Sequence, residues 1–305
     1  MRILSVVALL LLGVPGLAAA SPSGPDVVVH DLDTDGVAAY WTPERIAAMP
    51  TGPSAPPGTP AVDDPTGAPA PNSRSIGRLF FVDRDGEDSS CTATVVVSAN
   101  KRTAVTGGHC VHTANLIGQD RRWHSKMLFV PGFRDGTRPF GEFVVRQAIV
   151  NRTWITDDQQ SEYDQAFLVL DKPSGASENI AFGRPADRFA REYGYPRAAG
   201  QPGHQGRPEF TGRRLAQCWG TPAHHPGYPE RPADENLWGV PCDMGGGSSG
   251  GPRISENAVV GVNIQSFHLD ANGQLVPPGQ GVRHLGGAQF SWRITAPLYQ
   301  RAQRG

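Results

Sequence analysis

From residue 73 onward, apolar residues gather in short runs broken by Gly, Pro, Asn and Asp. Runs at Ile76–Val82, Cys91–Ser98, Arg102–Thr106, Met127–Val130, Phe143–Val150 and Ala166–Leu170 are rich in β-branched or aromatic residues. Arg214–Trp219, Ala258–Ile264 and Ala288–Ile294 continue the pattern. Their length, composition and flanking turn residues predict strands. No sustained helical periodicity intervenes. Thr295–Ala302 predicts a short terminal helix, with Thr295 as N-cap and Pro297 in the first turn. Many short strands with frequent turns and almost no helix predict an all-β fold, a sandwich or barrel.

The N-terminal part is patterned differently. Arg2, the apolar run Ile3–Leu12 and the small residues Ala18, Ala19 and Ala20 predict a signal peptide over residues 1–20. No later segment approaches the roughly 18 unbroken apolar residues that a membrane span needs, so a secreted, extracellular product free of the membrane after signal removal is expected. Residues 21–48 are expected to be moderately structured at best, with a short helix beginning at Thr42-Pro43-Glu44. Between Pro50 and Pro71, prolines alternate with Gly, Ala, Ser and Thr, a composition that makes a linker rather than a core. The expected organisation is signal peptide 1–20, propeptide and linker 21–72, and one domain over 73–305.

The chain carries 28 basic and 29 acidic residues, a net charge of -1, without a basic run. That balance argues against nucleic acid or an anionic membrane as partner. Four cysteines, Cys91, Cys110, Cys218 and Cys242, predict two disulfides in an exported chain, with three pairings open. Metal ligation is disfavoured, since no Cys-x-x-Cys pair exists and the spacings are wide.

Three segments carry chemistry. Thr106-Gly107-Gly108-His109-Cys110-Val111 places a histidine just past a strand end, next to a cysteine. Tyr163-Asp164-Gln165 opens the apolar strand Ala166–Leu170 with an aspartate. Gly245-Gly246-Gly247-Ser248-Ser249-Gly250-Gly251-Pro252 sets a serine in a glycine turn. Glycine there has a physical reason: backbone N–H groups can be aimed at one point only with φ values that other residues adopt at a cost. Asp157 and Asp158 compete with Asp164 for a partner role but open no apolar strand. The order His, Asp, Ser is that of chymotrypsin, not of subtilisin or the α/β hydrolases.

At this point the chain resembles the chymotrypsin/trypsin-like serine peptidases over about residues 73–300. Thr106–Val111 is similar to their Thr-Ala-Ala-His-Cys signature, Asp164–Leu170 to their Asp-Ile-Ala-Leu-Leu strand, and Gly247–Pro252 to Gly-Asp-Ser-Gly-Gly-Pro. Gly194-Tyr195-Pro196 and Ile76–Phe81 are closer to the bacterial glutamyl endopeptidase-like secreted branch. The resemblance implies two packed six-stranded antiparallel β-barrels with a short C-terminal helix. It implies a monomeric secreted serine endopeptidase that acts on protein or peptide substrates and needs no metal or organic cofactor. His109 would be general base, Asp164 its orienting acid and Ser249 the nucleophile, with Gly247 and Ser249 N–H groups as oxyanion hole. Cys91–Cys110 is the disulfide the family supports, which leaves Cys218–Cys242. A catalytically inactive binding protein on the same fold is the competing expectation.

The chain also departs from the pattern. Ser248 stands where trypsin has the aspartate that pairs with its new N-terminal amine, so a propeptide would act by another route, such as steric cover. Asp243 and Asn263 fall near positions of the substrate pocket. Asp243 follows Cys242 where trypsin has a cysteine after its pocket aspartate, and Asn263 stands where glutamyl endopeptidases carry a histidine. Cleavage preference therefore stays open. His204, His224 and His225 are expected to lie in an exposed loop.

Overall fold

The computed structural model describes residues 26–51, 67–115, 118–158, 160–198, 207, 209–227 and 236–305. The expected signal peptide, most of the Pro-rich linker and His204 lie outside these residues. The first half runs β1 (Val27–Asp31), α1 (Val37–Tyr40), α2 (Pro43–Ala48), β2 (Ala68–Pro69), β3 (Ile76–Val82), β4 (Asp88–Val95) and β5 (Thr103–Thr106). It continues through β6 (His112–Thr113), β7 (Arg122–Trp123), β8 (Ser125–Pro131), β9 (Phe143–Asn151), α3 (Arg152–Thr156) and β10 (Ala166–Leu170). The second half holds β11 (Asn179–Ile180), β12 (Ala190–Gly194), β13 (Ala216–Gly220), β14 (Ala223–His224) and β15 (Leu237–Pro241). It ends with β16 (Pro252–Ser255), β17 (Ala258–Val262), β18 (Gln265–Leu269), β19 (Val282–Ala288) and α4 (Thr295–Ala302).

In the first half the strands pair in the order β9-β10-β5-β4-β3-β8, and β8 pairs back to β9, which closes a six-stranded barrel. Strand β3 explains how a nearly unbroken apolar run is used. Leu79 and Phe81 point into the barrel with Val95, Ala104, Phe129, Leu168 and Trp154. Ile76 and Phe80 point the other way, onto a second cluster with Trp41, Leu128, Phe133, Tyr195 and Leu215. Both faces of the strand are covered, so alternation is lost from the sequence. The outer cluster is built partly by the N-terminal segment, which is ordered and packed rather than moderately structured at best.

The second half forms a six-stranded sheet, β11-β17-β16-β12-β13-β2, and a four-stranded sheet, β14-β15-β19-β18, bridged at Gly261–Gln289. The all-β, two-barrel architecture and the C-terminal helix are as expected. The sheet content extends upstream of residue 73, because Ala68 and Pro69 pair with β13. The interface between the halves buries Val105, Ile149, Phe167, Val259, Val262 and Phe290, and Leu298 of α4 seals it.

Both disulfides join as anticipated, Cys91–Cys110 and Cys218–Cys242. They close separations of 19 and 24 residues, each of which stabilises by about 3 kcal/mol on the chain-entropy account. The second half also relies on a buried arginine that lies beside a buried carboxyl. Arg253 donates to Trp238 O, to Gly287 O at 3.3 Å and to Gln289 Oε1 at 2.8 Å, and it lies 3.7 Å from Glu192. Burial pushes the Glu192 carboxyl up to about 8 against the pull of Arg253. Arg253→Met is expected to cost about 3–5 kcal/mol, because Trp238 O, Gly287 O and Gln289 Oε1 lose their buried donor and Glu192 loses the neighbouring positive charge. Denaturant unfolding checks this, and adding Glu192→Gln is expected to recover part of the loss.

Candidate active site

His109 sits in a single 3-10 turn, Gly108–Cys110, directly after β5. Three things hold it. Cys110 is bonded to Cys91 on β4. Its ring Nδ1 lies 2.8 Å from Asp164 Oδ2, and its backbone N–H donates to Asp164 Oδ1, also at 2.8 Å. Asp164 is positioned by strand register: it closes the 3-10 turn Ser161–Tyr163 and precedes β10, whose Ala166 pairs with Thr106 at the end of β5. The aspartate side chain is 9% exposed and the histidine 27%, so the carboxylate is sheltered while the imidazole still reaches solvent. Burial pulls the His109 pKa down, but the charge of Asp164 and its hydrogen bond outweigh that, and the imidazole ends above its usual 6.5.

Ser249 is half-buried in the turn between β15 and β16. Gly247 has φ +92°, and a Cβ there would lie 2.5 Å from Tyr195 O. Gly250 has φ +77°, and a Cβ would lie 2.0 Å from Thr106 Oγ1 and 2.9 Å from Gly107 N. The glycine turn therefore packs directly onto the end of β5, two to three residues before His109. The N–H groups of Gly247 and Ser249 donate to no acceptor among the described residues. No hydrogen bond joins Ser249 Oγ to His109 in this structure; Nε2 meets Cys110 Sγ at 3.8 Å. Bonds of this kind are commonly long before substrate arrives.

Thr92, which the sequence reading passed over, ties the turn in place. Its N–H donates to Ser249 O at 2.8 Å, and its hydroxyl donates to Gly247 O at 2.8 Å and accepts from Tyr195 N at 2.9 Å. Thr106 Oγ1 donates to Thr92 O at 2.8 Å. No local signal singled it out: β4 also carries Ser90 and Thr94, both buried, and the partners of Thr92 lie far away in sequence.

Ser248 is buried, and its hydroxyl donates to Gly245 O within its own loop. Asn263 is fully buried and donates to Tyr193 O at 2.9 Å and Ser248 O at 3.3 Å, so it braces the turn from behind. Asp243 is also buried. Its Oδ1 accepts Gly67 N–H at 2.7 Å, and its Oδ2 lies 3.2 Å from Arg207 Nε, within ion-pair distance but without hydrogen-bond alignment. Burial raises its pKa, against the opposing pull of Gly67 N–H, Arg207 and Arg283.

His225 is buried edge-on to Phe267, while His224 is exposed on β14, where it packs against Trp238. Burial lowers His225 to about 4. Cys91, His109 and Cys110 approach one another closely enough for a metal site, but both sulfurs are spent on the disulfide and offer no thiolate.

Thr92→Val keeps the side-chain shape but strands Tyr195 N and Gly247 O. It is expected to lower stability by about 2–4 kcal/mol, since each buried unpaired group costs about 1–3 kcal/mol. Thermal and denaturant unfolding read this directly.

No protein-family profile matches the chain, and no curated protein does. Solved structures do. The protease Anisep from Arthrobacter nicotinovorans is 24% identical, with 78% of this chain and 99% of that chain covered at a TM-score of 0.60. The thermostable serine protease AL20 from an extremophilic microorganism is 27% identical, covering 76% and 96% at 0.57. A Glu endopeptidase crystallised with MPD is 21% identical, covering 80% and 99% at 0.57. The chain thus has the fold of the chymotrypsin-like serine proteases.

Proposed function

We propose that the chain is a secreted serine endopeptidase that hydrolyses peptide bonds through an acyl-enzyme. One observation carries the reading: a histidine held by a buried carboxylate at its ring Nδ1 and its backbone N–H, beside a serine turn with two unengaged N–H groups. In the proposed mechanism Ser249 Oγ attacks the scissile carbonyl while His109 Nε2 accepts its proton. Gly247 and Ser249 N–H groups hold the oxyanion. His109 then passes the proton to the leaving amine, and water repeats the sequence on the ester. Asp164 fixes the tautomer that presents Nε2 as acceptor and stabilises the imidazolium. A purely binding role leaves this arrangement without a purpose.

The disulfides and the absence, among the described residues, of any helix long and apolar enough to cross a membrane support the extracellular part of the proposal. Residues 1–20 are proposed to be removed on export. Substrate preference differs from trypsin's in this reading, because the Asp243 carboxylate is engaged by Gly67 N–H and Arg207 rather than presented bare.

A fluorophosphonate probe is expected to label the folded protein and not Ser249→Ala; an unlabelled wild type refutes the proposal. In peptide hydrolysis, Ser249→Ala is expected to lose kcat on the order of a million-fold, and Asp164→Asn about ten-thousand-fold. The base must be neutral, so kcat/KM should rise with pH through a midpoint above 6.5. Asp164→Asn removes both upward influences and should move that midpoint down. A peptide-library digest is expected to show no enrichment of Arg or Lys at the cleaved bond.

A further inference from the structure

Residues 26–50 are built into the barrel. Strand β1 lies antiparallel along the edge of β9, from Val27 opposite Asn151 to Asp31 opposite Gln147. Arg152 N donates to Asp26 O at 2.7 Å, and Leu32 N donates to Arg146 O at 2.8 Å, extending the ladder at both ends. Val28 and Leu32 pack against the barrel interior, while Val27 and Val29 pack against the cluster at the junction of the halves. His30 stacks on Trp123 with ring centroids 4.3 Å apart.

Beyond Gly36 the segment crosses to the outer face of β3. Trp41 is fully buried there, its ring 5.4 Å from Phe80 and its Nε1 donating to Lys126 O at 2.6 Å. Thr42 caps α2 by accepting from Arg45 N, and Val37, Ile46 and Met49 complete the apolar layer. Polar contacts frame it: Tyr40 OH to Asp88 at 2.9 Å, Arg45 to Asp88 at 2.6 Å and Lys126 to Asp33 at 3.4 Å. Among the described residues, none of the segment's hydrogen bonds or ion pairs reaches His109, Asp164 or Ser249. It is neither a lid on the site nor a loose tail.

We infer that residues 26–50 are a permanent structural part of the protein, and stay docked non-covalently when the chain is cut within residues 51–66. Loss of the segment would bare the edge of β9 and the apolar faces of Phe80, Leu128 and Phe133. An open strand edge beside an apolar patch is a template for aggregation. The Pro-rich stretch is where a protease would cut, and both flanks are held by the fold on their own account: one by β1, α1 and α2, the other by the pairing of β2 with β13.

The inference does not depend on the proposed activity and is tested without it. A recognition sequence for a site-specific protease is placed between Pro57 and Gly58 in the full chain carrying Ser249→Ala, and the folded protein is cut. Native size-exclusion with intact-mass analysis is expected to find both fragments in one peak at equal amounts. The amides of residues 147–151 should stay as protected from hydrogen exchange as before the cut. Release of the N-terminal fragment overturns the inference. In the cut protein, Trp41→Ala is expected to speed release of the fragment at least tenfold. An unchanged release rate would overturn the role given to this docking site.

Discussion

Thr92 makes four hydrogen bonds from the interior of β4, and they run to three different segments: the serine turn, Tyr195 and β5. The serine turn belongs to the second half of the chain, and His109 and Asp164 belong to the first. An arrangement whose members come from separate folding units is only as accurate as the contact between those units. Apolar packing between Val105, Phe167, Val262 and Phe290 supplies adhesion there, but dispersion is weakly directional. Hydrogen bonds through one buried hydroxyl and its neighbouring amide supply the register. The glycines at 247 and 250 then follow from that contact, since a side chain at either would collide with Tyr195 O or Thr106 Oγ1.

The electrostatics of the site follow the same division. Asp164 is sheltered and spends both oxygens on His109, one on the ring and one on the backbone. That pairing favours the imidazolium in the folded state, so its contribution to stability is complete below pH 6.5 and fades as pH rises through the raised value of His109. The proposed function asks for the opposite protonation state at rest. In that reading the site is least favoured by its own ion pair where the imidazole is ready to accept a proton, a common conflict between stability and activity.

Much of the fold was legible in the sequence where burial is one-sided or the strand is strongly apolar. Ile76–Val82 and Ala166–Leu170 were found with their exact bounds because most positions there are committed to an apolar cluster. Strands β15, β16 and β19 were passed over, since Pro241, Arg253, Gly286 and Gly287 dilute the apolar signal while tertiary contacts compensate. Ala288–Ile294 was expected as a strand, but the regular strand ends at Ala288, followed only by the bridge at Gln289 before the chain turns into α4. Residues 26–50 looked weak because their apolar residues come in short clusters such as Val27–Val29, Val37–Trp41 and Ile46–Met49, whose worth depends on the outer face of β3, which no local pattern reveals. At the site, His109, Asp164 and Ser249 stood out by residue type and order. The surroundings of Asp243 and Asn263 did not, because their partners Gly67 and Tyr193 are distant in sequence.

Cys91 and Thr92 are consecutive residues on β4. The first is joined covalently to the residue after His109, and the second is hydrogen-bonded to the carbonyl of Ser249. In mechanical terms, a two-residue length of strand is the gauge block between the imidazole and the hydroxyl. Thermal displacement of β4 carries both groups in the same direction, so the vibration is common-mode and their separation is buffered. Errors in that separation must come instead from rotation of one group about its own tether, a softer but much shorter lever.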